Sequence, residues 1–435
     1  MKRLLFPAFF VCMFACKKQE QFTPPQNAKT TGRLLTDWIG VHLRLIKNTT
    51  GLSHVAYSRH FAYTSVAFYE ALVPSVAGQR SIAGKLENMN NLPAPKTTQL
   101  CWPAAANSAY ASLMRFFYSG NKINPPVIDS LETAENTQLI NTGKYSAASV
   151  TAGNDFGNSI AQAVISWSMQ DGSATAYPPY VPPTGDSLWA PTPPAFAAPA
   201  APYWGNNKTV IPGSIDNTLA PPPIPFSTQA GSPFYNMVND LYAASQNLTA
   251  DQKDMANHWD DSPNGKYVTA FGHWASILSQ MITKLDLSLI KSATIYASLS
   301  IAMNDASISC WKAKYTYNRL RPVTYIRLYL GNPGWNSLIT TPAHPEYPAA
   351  HSTLSYAAAV VLTHYLGNIP FTDHTYDNAG LAPRSYLSFV AAAKEAGNSR
   401  FYGGIHFQPS IAAGATSGTA VSKKVLAALA FANND

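Results

Sequence analysis

The chain has 435 residues, 46% of them hydrophobic and 12% charged, with a formal net charge of +7. High hydrophobicity with low charge excludes a disordered chain. Four cysteines are too few for a disulfide scaffold, and a modest charge without a dense Lys/Arg run excludes wholesale nucleic-acid binding. The length allows two or three ordinary domains or one large helical bundle.

The first segment reads as an address. Met1-Lys2-Arg3 is basic, and Leu4 to Ala15 is apolar but too short to span a bilayer. Met13-Phe14-Ala15-Cys16 resembles a bacterial lipobox, in which the cysteine is acylated and becomes the first residue of the mature protein. Residues 1–16 are then a lipoprotein signal and residues 17–33 a polar tether. The chain is expected to be exported and held at the cell envelope, on the periplasmic side or the outer membrane, by lipid on Cys16. Plain secretion with an incidental Cys16 is the alternative. No later segment is a continuous apolar run of about 18 residues, so no membrane-spanning helix is expected. Cys101 and Cys310 remain, either paired or as two separate buried thiols.

Helical patterning begins at Leu34. Over 59–72, Phe61, Ser65, Phe68 and Leu72 repeat along one helix face. Further helices are expected at 105–117, 126–140 and 152–169. The last carries a stripe of Phe156, Ile160, Ala163, Val164 and Trp167 and a stop at Asp171-Gly172. Between Pro178 and Phe226 lie 14 of the 33 prolines, interleaved with Tyr180, Trp189, Phe196, Tyr203 and Trp204. Proline breaks helices, and a flexible linker is poor in aromatics. The stretch reads as a long ordered loop laid over the core, with a disordered linker as the alternative. Helices resume at about 233–246, 250–259, 269–283, 286–319, 352–366, 384–401 and 409–432. Strand signals are sparse. The expected fold class is all-α: a large helical bundle over 34–432 with long loops rich in proline and aromatics. A helical half covers 34–230, and 231–432 bears the chemistry.

Three blocks in that second half carry reactive side chains. In Lys314-Tyr-Thr-Tyr-Asn-Arg-Leu-Arg321-Pro322 the two cations lie seven residues apart. On a continuous helix that spacing puts both on one face, with Pro322 ending the helix. In Pro345-Glu-Tyr-Pro348-Ala349-Ala350-His351 an extended loop leads into a helix N-terminus, which favours anions. In Ser399-Arg400-Phe-Tyr-Gly-Gly-Ile-His406 the glycine pair breaks a helix so that Arg400 and His406 converge. Alone, the blocks read more readily as a solvated basic face, a turn histidine and a structural histidine. Together they supply fork-shaped donors for a tetrahedral oxyanion and two histidines, one to bond the central atom and one to move a proton.

The ordered set resembles the shared signature of type 2 phosphatidic acid phosphatases and vanadium-dependent haloperoxidases. That signature runs Lys, six residues, Arg-Pro; then Pro-Ser-Gly-His; then Ser-Arg, five residues, His, three residues, Asp. Lys314, Arg321-Pro322, His351, Ser399-Arg400 and His406 match at that spacing. Ala349 and Ala350 replace the motif Ser and Gly, and Ser410 stands at the closing Asp. Asn154-Asp155-Phe156-Gly157, Asp171-Gly172, Trp189 with Pro202-Tyr203-Trp204-Gly205, His258-Trp259-Asp260-Asp261, Gly272-His273-Trp274 and Asp305-Ala306 before Trp311 resemble the bacterial haloperoxidase branch. The likeness covers about residues 34–430.

The resemblance implies vanadate as cofactor, with phosphate as a competing occupant, bonded through His406. Lys314, Arg321, Arg400, Ser399 and the Ala350 N–H are the implied oxyanion ligands, and His351 the implied acid–base group. Asp261 is implied to support the arginines. Trp311 and His344 fall where family members differ by halide. Chloride-oxidising fungal members carry tryptophan and phenylalanine there, and bromide-preferring algal members carry histidine at the second position. The implied partners are hydrogen peroxide and a halide, bromide or iodide before chloride, with hypohalous acid as the product. Two rivals stay open: a phosphomonoesterase with His406 as nucleophile acting on a phosphate ester, and a non-catalytic oxyanion-binding lipoprotein. Any membrane contact is expected through the N-terminal lipid alone.

Overall fold

A computed structural model describes residues 32–89, 91–120, 125–262, 265–429 and 431. The expected signal with Cys16, and nearly all of the expected tether, lie outside them. The helices of the first half are α1 (Arg33–Asn48), α2 (Ala56–Leu72), α3 (Trp102–Phe117), α4 (Pro125–Asn141) and α5 (Ala147–Ser168). After a long irregular stretch come α6 (Pro233–Gln246), α7 (Ala250–His258), α8 (Ala270–Lys284), α9 (Leu289–Tyr317) and α10 (Pro322–Tyr329). The chain closes with α11 (Ala350–Leu366), strands β1 (Phe371–Asp373) and β2 (Arg384–Tyr386), α12 (Phe389–Tyr402) and α13 (Gln408–Ala428). The two strands pair antiparallel, Phe371 opposite Tyr386. The architecture is all-α, as expected, and no described helix is long and apolar enough to cross a membrane.

Short hydroxyl side chains set many of the helix starts. Ser146, Ser232, Thr249, Thr269, Ser288 and Ser388 each accept a backbone N–H from the first turn of the helix they precede. Helix α9 is the hub, packed by α2, α11 and α13 and buried on almost every side. Such a helix has no polar face to satisfy in water. Its serines close on their own turn instead, as when Ser298 Oγ donates to the Thr294 carbonyl at 3.0 Å. One apolar cluster runs from Leu34 to Phe431 and joins both halves of the chain. Helix α13 lies so close on α11 that a Cβ at Gly418 would collide with the Thr353 backbone, which fixes the N-terminal turn of α11.

The proline-rich stretch is an ordered loop on the core. Buried Asp305 of α9 accepts N–H groups from Val210 (2.7 Å) and Ile211 (3.0 Å) and the Ser214 hydroxyl (2.8 Å). Trp204 Nε1 donates to Ser307 at 3.0 Å, and Trp189 N–H donates to the Asn318 carbonyl at 2.7 Å. The segment's backbone is thus anchored by α9 rather than by internal secondary structure.

Three expectations change. The long helix stops at Tyr317, because Asn318 adopts a left-handed conformation (φ 47°) that caps it. Pro322 therefore opens α10 rather than ending α9, using a position where its missing N–H costs nothing. Residues 384–386 form a strand, and the helix expected from 384 begins only at Phe389, after the Ser388 cap. Cys101 and Cys310 are separate buried thiols.

Candidate active site

The Asn318 turn brings Lys314 and Arg321 together, in place of the helical phase expected from their spacing. Arg321 is the N-cap residue of α10. Both side chains are fully buried. Lys314 Nζ donates to the carbonyls of Pro345 (2.8 Å) and Glu346 (3.0 Å), pinning the 340–348 loop. Arg321 Nε donates to the His344 carbonyl (2.8 Å), and one terminal nitrogen donates to the Ile405 carbonyl (2.9 Å). That same nitrogen lies 3.2 Å from His406 Nε2, and the other lies 3.0 Å from His344 Nδ1.

These contacts fix tautomers. Arginine only donates, so His406 Nε2 accepts and carries no proton. The ring proton sits on Nδ1, which donates to Glu346 Oε1 at 2.9 Å. Glu346 Oε1 also accepts the Phe407 N–H at 3.1 Å. By the same argument His344 carries its proton on Nε2. Burial, reinforced by Arg321, Lys314 and Arg400, holds His406 well below the usual imidazole range, and burial with Lys314 and Arg321 does the same for His344. Burial lowers the Lys314 ammonium to about 7.

Arg400 enters from the last turn of α12, which ends at Tyr402 where the Gly403-Gly404 bend begins. One of its terminal nitrogens donates to the Trp259 carbonyl at 2.7 Å, and the other lies 3.8 Å from Asp261 Oδ1. Its buried Nε has no hydrogen-bond partner among the described residues. The Trp259 carbonyl is held from below. His258 and His273 both point Nε2 at Asp373 Oδ2 (2.8 and 2.6 Å), and the His273 ring stacks on Trp259 with centroids 4.2 Å apart. The His258-Trp259-Asp260-Asp261 run thus builds the support of Arg400.

His351, in the first turn of α11, has Nε2 3.8 Å from Asp261 Oδ2. Burial, then Arg400, lowers this imidazole to about 3, so it is neutral. Burial alone would raise Asp261, yet His351, His54 and Arg400 hold its carboxylate well below the ordinary range. His54 Nδ1 lies 3.3 Å from Asp261 Oδ2.

His344, Ala350, His351, Arg400, His406, Asp261 and Trp311 line one cavity of about 870 Å³. Lys314 and Arg321 stand directly behind that wall. The Trp311 and His344 rings lie 5.1 Å apart. Ala350 is the first residue of α11, and its N–H has no carbonyl within the helix to meet. Ser399, expected among the oxyanion ligands, is not brought to the wall. It is fully buried, and its hydroxyl donates to the Ala396 carbonyl at 2.7 Å, within its own helix turn.

Two residues escaped the sequence reading. Glu346 supplies the carboxylate missing at Ser410, from 60 residues upstream of His406. The signal was present, since Glu346 lies inside the proline-flanked block. His54 lies in a loop before α2 with no motif around it.

The helical bundle gathers Lys314, Arg321 and Arg400, a helix N-terminus and a histidine whose Nε2 carries no proton, a set of groups chemically suited to an oxyanion. The donor set fits vanadate or phosphate: among the described residues Arg400 Nε is unspent, while Glu346 faces Lys314 and Arg321, and Asp261 with Asp260 faces Arg400. Residues 294–434 match the family model described as the VCPO second helical-bundle domain. The fold is similar to that of a bacterial vanadium-dependent iodoperoxidase, with TM-score 0.84 and 29% identity over 94% of this chain and 99% of that one. It is also similar to a bacterial vanadium-dependent chloroperoxidase in its holo form, with TM-score 0.63 and 17% identity over 86% of this chain and 92% of that one. No protein of curated function matches the sequence. The family model and the structural neighbours together support the vanadium haloperoxidase superfamily as the one this chain resembles.

Proposed function

We propose that this protein oxidises halide with hydrogen peroxide, using vanadate held at His406. The observation that carries this reading is the His406 ring, whose Nδ1 proton is held by Glu346 and whose Nε2 lone pair meets Arg321 beside the cavity. Vanadate, when bound, supplies a Lewis-acidic centre that makes peroxide electrophilic toward halide without a change of oxidation state.

His406 Nε2 is the bonding atom. Arg321 and Arg400 neutralise the oxyanion with planar donors. Lys314 spends two N–H donors on carbonyls and keeps a third for the anion. The Ala350 N–H, at the positive end of α11, adds a neutral donor. His351, neutral near pH 7, accepts the proton that hydrogen peroxide loses. Asp261 keeps its charge beside Arg400 and His351 and positions both. Trp311 and His344 border the halide's approach. The likeness to an iodoperoxidase supports iodide as a substrate.

The test is initial-rate measurement with iodide, bromide and chloride after vanadate reconstitution, beside phosphate release from a chromogenic ester. Iodide and bromide turnover with little ester hydrolysis is expected. Ester hydrolysis without peroxide-dependent halide oxidation would assign the site to phosphoryl chemistry instead. The same reading puts the mature chain at the cell envelope on lipid carried by Cys16. Cys16→Ser should then move it from the membrane fraction to the soluble one, and a mature N-terminus other than Cys16 would refute the anchor.

A further inference from the structure

Oxidation of halide by hydrogen peroxide consumes a proton. Halide gives two electrons to the O–O bond, one oxygen leaves with the halogen as hypohalous acid, and the other leaves as water. Of the two protons this requires, one is the proton that His351 took from peroxide and the other comes from solvent. His351 exposes only 10% of its side chain, so the second proton needs a route to it.

Another imidazole stands on that route. His54, from the loop before α2, exposes 34% of its side chain. Its Nδ1 lies 3.3 Å from Asp261 Oδ2, and His351 Nε2 lies 3.8 Å from the same oxygen. The first distance is a hydrogen bond, and a small rotation of the His351 ring makes the second one too. Around His54 the cavity wall is polar. Lys47, Asn48, Thr50 and Ser53 come from the chain leading into it, and Ser262 and Tyr267 from the Asp261 side. Polar walls hold water. Burial lowers the His54 imidazole, but Asp261, aided by Asp260, raises it above the ordinary 6.5 in spite of Arg400. His54 is thus the ring that carries a proton near neutral pH, and His351, lowered to about 3 by burial and then Arg400, is the one that does not. An anion on Arg400 offsets the second of those causes and brings the two rings closer in proton affinity.

We propose that His54 relays protons from cavity water to His351 across Asp261, acting through His351 and touching no substrate; this rests on the halide-oxidation reading. His54 loads from water at Nε2 and releases its Nδ1 proton to Asp261 Oδ2. That oxygen carries the proton only in passing and gives it to His351 Nε2. The other His351 nitrogen gives its own proton to the departing oxygen. The formation of water completes the transfer, so no ionised His351 accumulates.

His54→Gln keeps a donor to Asp261 and removes the titration. On the full chain reconstituted with vanadate, kcat for bromide oxidation near neutral pH should fall by about tenfold. Vanadate affinity and the KM for bromide should stay within about twofold. The wild-type pH profile should contain a step above pH 6.5, the ordinary imidazole value, that the variant lacks. Added imidazole, which a cavity of about 870 Å³ admits, should restore most of the lost rate. In the vanadate-free protein, NMR of labelled histidines should show His54 titrating above its ordinary value, and Asp261→Asn should lower it by about one unit. Wild-type rate and pH profile in His54→Gln, a deficit that imidazole leaves untouched, or a His54 titration below its ordinary value would overturn the proposal and leave the halide-oxidation reading standing. No halide oxidation in the wild type would overturn both.

Discussion

Glu346 and His406 are 60 residues apart in sequence and share a 2.9 Å hydrogen bond between Oε1 and Nδ1. Both are buried. The bond orients the imidazole, fixes its proton on Nδ1 and raises the basicity of Nε2, as outer partners of ligating histidines do. Burial raises the Glu346 carboxyl, while Lys314 and Arg321 pull it back down. Glu346→Gln should weaken vanadate binding by about 10–100-fold, and Glu346→Asp should recover part of it. Wild-type affinity in Glu346→Gln, measured by calorimetry, would show that the bond is only a packing contact.

The two site histidines should separate by assay. His406→Ala removes the bonding nitrogen and should abolish vanadate binding. His351→Ala removes a proton acceptor that touches no other part of the Arg321–His406–Glu346 chain. It should keep vanadate affinity within about threefold while halide oxidation falls by about 10²–10⁴-fold, the range of a positioned acid–base group. Equal loss of vanadate affinity in both variants would refute this division of labour.

Halide choice should depend on His344. Its Nδ1 accepts from Arg321 at 3.0 Å and its ring meets Trp311, so it is coupled to the oxyanion site and faces the cavity. Rates should rank iodide, then bromide, with little chloride oxidation. His344→Phe leaves one Arg321 donor without its acceptor and should change the bromide-to-iodide rate ratio. Comparable rates with chloride and bromide in the wild type would contradict the ranking, and an unchanged ratio in His344→Phe would remove the histidine from halide selection.

Acid should destabilise the fold through histidines remote from the site. His42 is fully buried against Phe61, with ring centroids 4.1 Å apart, and burial lowers it from the ordinary 6.5 to about 3. The unfolded chain takes up this proton below about pH 6.5 and the folded chain does not. The stabilising contribution is therefore complete above that pH and is lost progressively as pH falls toward 3. At pH 4 the loss is on the order of 3 kcal/mol. His42→Phe should shrink the difference in unfolding free energy between pH 7.5 and pH 4 by about that amount, as read by urea denaturation. An unchanged difference would mean that His42 does not contribute to acid lability.

The helices were legible because their signals are local. The apolar repeat of Phe61, Phe68 and Leu72 and the Asp171-Gly172 stop need no tertiary context, whereas the starts set by Ser146, Ser288 and Ser388 lie away from the positions that periodicity alone suggests. The candidate oxyanion residues stood out because a fixed order of short blocks survives in the sequence. Arg321 reached its place by another route than its spacing suggested, since a helical period says nothing about Asn318 turning left-handed one residue after the helix ends. Glu346 was hidden because the motif places its carboxylate four residues after His406, whereas the fold brings one from the irregular segment before α11. Ser399 failed the other way: adjacency to Arg400 suggested a ligand, but one helical step turns its hydroxyl onto the Ala396 carbonyl.

On the proposed reading, His406 presents its Nε2 to a vanadate clamped by Arg321, Arg400 and Lys314. Vanadium content of the protein after reconstitution and desalting tests it most directly, with wild type and His406→Ala measured side by side. A single vanadium per chain in the wild type, and essentially none in His406→Ala, is the predicted result. Equal vanadium in the two proteins, or none in a folded wild type, would contradict it.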